Sequence, residues 1–219
     1  MSKIVWDETG EHFFETGIRN GVLYPQDSMG KYPKGVAWNG LTSVTESPGG
    51  ADPSDIYADD DKYLTLRAKE TFGGTIEAYT SPDEFGVCDG TAELAPGVYI
   101  GQQARKAFGL CYRTAVGNDV DGTDHGYKLH LVYGATASPA QKAYSTINES
   151  PEAMTLSWEF TTTPVKVTGH KPTALLVIDS RNVDPGVMTK IEKVLYGDES
   201  KEASLPSPDE VLALINTGS

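Results

Sequence analysis

Basic residues are scarce in this chain. Its 219 residues hold 18 Lys and Arg against 31 Asp and Glu, a formal charge of −13. An acidic surface repels phosphate, which excludes ordinary DNA or RNA binding. The balance fits a plain solvated surface, and equally a wall past which a polyanion slides without sticking. Cysteine is limited to Cys88 and Cys111, too few for a disulfide framework, so buried reduced thiols are expected. No stretch approaches the ~20 apolar residues of a membrane-spanning helix, and no membrane partner is expected. The opening MSKIVWDETGEHFF lacks the basic-then-apolar order of a signal peptide, which points to assembly in a cytoplasm.

Catalytic patterns are missing too. The histidines His12, His125, His130 and His170 show no metal-ligand spacing. His130 lies on the more polar face of its strand beside Lys128. Asn118, Asp119, Asp121 and Asp124 invite a calcium reading, but the glycine offset and closing Glu of a twelve-residue loop fail. A hairpin tip is the better account, and Asp59, Asp60 and Asp61 read as solvated acids. Gly30-Lys31-Tyr32 ends like a phosphate loop without its upstream glycine or its Ser/Thr. There is no G-x-S-x-G elbow. Asn148-Glu149-Ser150 matches a glycosylation sequon, with no secretion signal to give it meaning. Neither enzymatic activity, nor a cofactor, nor a metal is expected.

What the chain does have is alternation. In 154–161, Met154, Leu156, Trp158 and Phe160 point one way, while Thr155, Ser157, Glu159 and Thr161 point the other. That period of two predicts a strand with one dry face and one wet or partner-facing face. Residues 107–116 and 127–133 form a long hairpin around the turn chemistry of 117–126. Residues 36–46 read as a strand broken at Asn39-Gly40, and 47–61 (SPGGADPSDIYADDD) as a long loop. Residues 62–68 and 74–80 alternate and are expected to pair with each other. Residues 81–101 look irregular, and 172–180 (PTALLVIDS) reads as a central strand. Residues 1–35 read as an arm with a short strand at 21–24, anchored by Phe13, Phe14, Ile18, Val22, Leu23 and Tyr24. Two helices close the chain. Asp184-Pro185 opens the first and Gly197 ends it, with Val187, Met188, Ile191, Val194 and Leu195 on one face. Ser207-Pro208-Asp209-Glu210 is a capping box opening the second, whose apolar face is Val211, Leu214 and Ile215.

Several phrases resemble one family: WNGLTSVTESPGGADPSDIYADDDKYLTL from Trp38, FGGTIEAYTSPDEF from Phe72, and the strands from FGLCYRT through YSTINESPEAMTLSWEFTTTPV. They are similar to the major tail tube proteins of long-tailed (siphophage-type) bacteriophages of Gram-positive hosts, over residues 6–195. The resemblance implies a mainly β fold, two antiparallel sheets in a β-sandwich or half-barrel with flanking and C-terminal helices. Residues 1–197 would form the tube domain, with 198–219 a linker and helix. It implies a virion structural protein polymerising as stacked hexameric rings. Its partners would be further copies, a tape-measure protein, tail terminator and distal tail proteins, and viral DNA in unspecific transit. The arm and the 47–61 loop suit contacts to an adjacent ring. Trp38, Pro48, Asp52, Tyr57 and Tyr144 are the candidate assembly residues, Tyr and Trp being favoured at interfaces. Trp38 also has a core reading. Two alternatives stay open. One is the inner tube of a contractile injection system, which shares the fold. The other is a carbohydrate-binding β-sandwich using Asp119, Asp121 or Trp38.

Overall fold

The computed structural model describes residues 4–146 and 153–216. The chain begins with β1 (Phe14–Pro25), β2 (Val36–Ala37) and β3 (Leu41–Glu46), then β4 (Gly49–Gly50), β5 (Pro53–Ala58), β6 (Asp61–Arg67) and β7 (Glu70–Thr71). β8 (Gly73–Ala78), α1 (Gly86–Asp89), β9 (Ala92–Ala95) and β10 (Val98–Ile100) precede the long pair β11 (Phe108–Asn118) and β12 (Gly122–Ala137). β13 (Leu156–Thr162), β14 (Leu175–Asp179), α2 (Pro185–Tyr196) and α3 (Pro208–Asn216) complete it. The fold is mainly β, with antiparallel sheets and few helices.

Eight strands join in one sheet, ordered β2-β1-β11-β12-β13-β8-β3, with β14 also paired to β12. β12 is the pivot. Its Lys128–Val132 stretch pairs β14, and its Ala135–Ala137 end pairs β13. Gly134 stands between the two partners with φ +60, and a Cβ there would strike the Thr163 carbonyl oxygen. Only glycine suits that combination. Beyond the pivot the sheet curls until β3 approaches β1. The Trp38 N–H reaches the Gly21 carbonyl at 2.8 Å, extending the β2–β1 ladder beyond Ala37. The two expected antiparallel sheets are thus halves of one curled sheet, continuous through β12.

Burial follows from the curl. Inside it lie Leu23, Trp38, Ile76, Phe85, Phe108, Leu110, Val132, Trp158 and Phe160. The Trp38 ring packs on Phe85 at 4.7 Å and on Trp158 at 5.8 Å. On the outer side, Val22, Tyr24, Cys111, Leu129, Leu131 and Tyr133 meet Val187, Met188, Ile191 and Leu195 of α2, with Leu205 and Val211. The middle strands therefore have two dry faces: odd and even residues serve different cores. Cys88 belongs to the inner cluster and Cys111 to the outer one, and both are free and buried, as expected.

The terminal helices form as their caps dictate. The Asp184 carboxylate accepts from the Gly186 and Val187 N–H groups at 2.8 and 3.2 Å. Glu210 accepts from the Ser207 N–H at 2.7 Å, closing the capping box. Leu205 and Val211 are buried with α2, so residues beyond 197 share its cluster.

Several expectations are corrected. β1 is a twelve-residue strand of the main sheet, so the arm shrinks to residues before Phe14. The 47–61 segment is not a loop: it holds β4 and β5, and β5 pairs β6 through a two-residue turn at Asp59-Asp60. The 62–68 strand consequently does not pair with 74–80, since β8 lies between β13 and β3. β14 is an edge strand rather than a central one, because it pairs with β12 alone among the described residues. Its apolar sequence reflects cover on both faces, Ile178 toward the helices and Leu175 toward the interior. The 81–101 segment also contains α1 and the small hairpin β9–β10. The sequon at 148–150 lies outside the described residues.

Candidate functional site

The β5–β6 hairpin stands off the body on a short stalk, β4 with β7, which pairs Gly49 with Thr71 and Gly50 with Glu70. Every residue of both hairpin strands is exposed. Ile56 lies opposite Leu64 and Ser54 opposite Leu66. Ile56, Leu64 and Leu66 therefore share one face by the two-residue period. That face stays open to solvent among the described residues, with Ile56, Leu64 and Leu66 at 41%, 37% and 54% exposure. Tyr57 and Tyr63 are 68% and 72% exposed. Polar contacts fix the ribbon itself. Asp55 accepts from the Thr65 hydroxyl at 2.6 Å and pairs with Lys62 at 2.8 Å. The Lys62 bond holds the Asp55 carboxyl below the usual carboxylate range. Asp59 and Asp60 both take left-handed φ, 52° and 61°, the geometry of a tight hairpin turn.

Two further exposed apolar groups lie elsewhere. The β9–β10 hairpin presents Leu94, Val98 and Tyr99 around its Pro96-Gly97 turn. The N-terminal arm exposes Ile4, Val5, Trp6 and Phe13. The arm is moored at residue 10: the Gly10 N–H donates to Asp119 at 3.0 Å, and the Asn118 amide donates to the Gly10 carbonyl at 3.1 Å.

The outer face of β13, β8 and β3 is polar. Ser157 lies opposite Glu77, Glu159 opposite Thr75, and Thr161 opposite Gly73. Ser43 and Thr45 extend that face on β3, and the Ser43 hydroxyl donates to Glu77 at 2.8 Å. Its named side chains are hydroxyls and carboxylates. Trp158 and Phe160 are buried behind it, as the alternation predicted.

Of the predicted assembly residues, Pro48, Asp52 and Tyr57 fall together on the stalk and hairpin, and all are exposed. Tyr144 is exposed on a separate connector. Trp38 belongs to the core: it is 3% exposed and its indole N–H donates to the Thr80 carbonyl at 2.9 Å. It offers no ring face to a partner subunit or a sugar. Asp119 is engaged by the arm, with His12 at 3.2 Å, and Asp121 lies 2.9 Å from His125. The carbohydrate reading thus loses its three residues to internal contacts. Sequence reasoning missed Ile56, Tyr63, Leu64 and Leu66. The alternation of KYLTLRA carried Tyr63, Leu64 and Leu66, but that strand was expected to pair with 74–80, and Ile56 lay in the segment read as a loop.

The class defined by these observations is a mainly β, antiparallel curled sheet with protruding ribbons and, among the described residues, no group of three or more His, Cys, Asp and Glu that could hold a metal ion. No family model matches the chain, and no curated protein matches it. Two solved structures similar to it come from cryo-EM of PVC, an extracellular contractile injection system. The sheath/tube terminator in its extended state aligns over 80% of this chain and 99% of its own, at 9% identity and TM-score 0.38. A chain of the sheath-tube complex in the extended state aligns over 80% and 94%, at 12% identity and TM-score 0.32. A likeness this distant carries no function across.

Proposed function

We propose that this chain is the structural subunit of a phage-type tail tube. Copies close into hexameric rings, and rings stack around a tape-measure protein into a hollow tube whose lumen later conducts DNA. Tail terminator and distal tail proteins meet its ends. The observation that carries this reading is the solitary β5–β6 hairpin. A two-stranded ribbon is marginal in water on its own, and an apolar face without cover marks a protein contact. A neighbouring copy supplies the cover for Ile56, Leu64 and Leu66.

Open edges point the same way. Among the described residues β14 pairs only β12, and β2 pairs β1 only at Val22 and Leu23. Unpaired edges invite another strand, and a closed ring removes that hazard. The polar face of Ser43, Thr45, Thr75, Glu77, Ser157, Glu159 and Thr161 is suited to a channel wall. It carries hydroxyls and negative charge, so DNA phosphate is not gripped. The resemblance of long phrases to tail tube proteins adds to this reading.

Negative-stain microscopy of the purified protein tests it. Rings or short tubes with a central channel are expected. A persistent monomer at high protein concentration would count against the proposal.

A further inference from the structure

A groove of about 810 Å³ runs between the 27–33 turn and α3. Tyr32, Leu205 and Pro206, all buried, line it together with Met29, Val165 and Ala213. The carboxylates beside it are engaged from within. Asp27 accepts from the Met29 and Lys31 N–H groups, each at 2.8 Å, and Glu210 serves the capping box. A short loop projects from the groove's edge. Val165 and Thr173 exchange backbone hydrogen bonds at 2.8 and 3.0 Å, and the Thr168 N–H and hydroxyl donate to Asp209 of α3 at 3.0 and 2.8 Å. The loop is thereby fixed to the helix that walls the groove. It carries Lys166, His170 and Lys171, all exposed and in no ion pair among the described residues. Residues 160–178 hold no Asp or Glu, in a chain of charge −13, so the sign of the surface reverses here.

The β5–β6 hairpin has the complementary pattern. Its exposed apolar face is Ile56, Leu64 and Leu66. Its tip is Asp59, Asp60 and Asp61, and the nearest cation, Lys62, is taken by Asp55 at 2.8 Å. Ile56 and Leu64 lie three and four residues from Asp59 and Asp60, about 10–13 Å of strand. The basic loop runs as far, from Val165 at the groove to its turn at Thr168-Gly169. Apolar and charged parts are therefore spaced alike on the two surfaces, with opposite sign. Position adds to the match. Thr161 pairs Gly73 where the stalk joins the sheet, the Thr162 hydroxyl donates to the Phe72 carbonyl at 2.6 Å, and Val165 follows three residues later. Hairpin root and groove thus lie at the same end of the sheet. The hairpin does not fill its own copy's groove, since both its strands stay exposed.

We infer that the hairpin of one copy docks in the groove of the next. Ile56, Leu64 and Leu66 lie against the apolar lining, and Asp59, Asp60 and Asp61 meet Lys166 and Lys171. The inference rests on the tube-subunit reading and names the surface that supplies the hairpin's cover. Hairpin and groove are different surfaces, so the contact is heterologous, and such contacts repeat head to tail until a ring closes. Burial of the apolar face holds the pair together, while the opposed charges set its register and reject a hairpin-to-hairpin contact, where the acidic tips repel.

Sedimentation of the full chain and of two variants tests it. One variant carries Lys166→Glu with Lys171→Glu, the other Ile56→Ser with Leu64→Ser, and all four positions are exposed, so both should fold. Each variant alone should associate at least about tenfold more weakly than the wild type, since the first sets like charges against each other. Mixed in equal amounts they should form dimers and nothing longer, because one intact hairpin then meets one intact groove. A mixture that stays monomeric overturns the inference. Rings built by the lysine variant as readily as by the wild type overturn it too, and leave the tube reading standing. Wild-type open chains, with dimers in the mixture, support the docking and count against closed rings. A wild type that stays monomeric at high concentration overturns both.

Discussion

The Tyr24 hydroxyl donates to the Leu195 carbonyl at 2.7 Å, joining the C-terminal end of β1 to the last turn of α2. That carbonyl has no intrahelical partner, because the last turn of a helix leaves its acceptors open. Both groups are buried. Tyr24→Phe leaves the acceptor orphaned and is expected to cost about 1–3 kcal/mol, read as a lower urea midpoint. An unchanged midpoint would mean that water reaches Leu195.

The partner switch of β12 makes a second test. Gly134→Ala must accept φ +60 and a collision with Thr163, whereas Gly97 has a similarly left-handed φ of +80 with open space around it. Gly97→Ala should cost about 1 kcal/mol, the conformational penalty alone. Gly134→Ala should cost clearly more, or prevent folding. Equal melting temperatures for the two variants would remove the steric argument.

Alkaline pH should loosen the subunit. Burial pushes the Cys88 and Cys111 thiols from the ordinary 9.0 up to about 12. The folded state then keeps protons that the unfolded chain releases above about pH 9, so stability falls as pH rises through that window. At pH 8 only roughly one folded thiol in ten thousand is ionised, so an aromatic disulfide reagent should react only after denaturant is added. Rapid labelling of the native chain would contradict the burial.

Ile56→Ser combined with Leu64→Ser separates folding from assembly. Both side chains are solvent-exposed in the subunit, so its thermal unfolding should move by less than about 0.5 kcal/mol. Rings or tubes should disappear from micrographs and from sedimentation profiles. Intact tubes from the double variant would exclude the hairpin as the joining element.

The core was legible wherever a strand faced it. Trp158 and Phe160 alternate with Glu159 and Thr161 because one face is dry, and the two helices were announced by Asp184, Gly197, Ser207 and Glu210. β1 was hidden by its own irregularities: left-handed Gly17 and Asn20 break its register with β11 twice, so no period survives. β5 was hidden because no core selects its residues, and its Asp59-Asp60 turn lacks the glycine that usually marks a hairpin. β14 misled for the opposite reason. Its apolar run reflects partial cover, with Ile178 buried and Leu175 and Leu176 half-buried, and such a run does not reveal how many neighbours a strand has. The alternation of β6 was visible, but no local pattern records whether the cover for Leu64 and Leu66 comes from the same chain or the next one.

The stalk beneath the hairpin has a mechanical consequence. It consists of two residue pairs beside adjoining glycines, and Gly50 sits at φ +77. The body behind it is cross-braced by a curled sheet and a helix layer. In an assembly joined through such ribbons, bending would concentrate at these narrow necks while each body kept its bore. Stiffness along the filament would be set by a handful of backbone hydrogen bonds per copy, and lengthening the stalk should soften the filament without widening it.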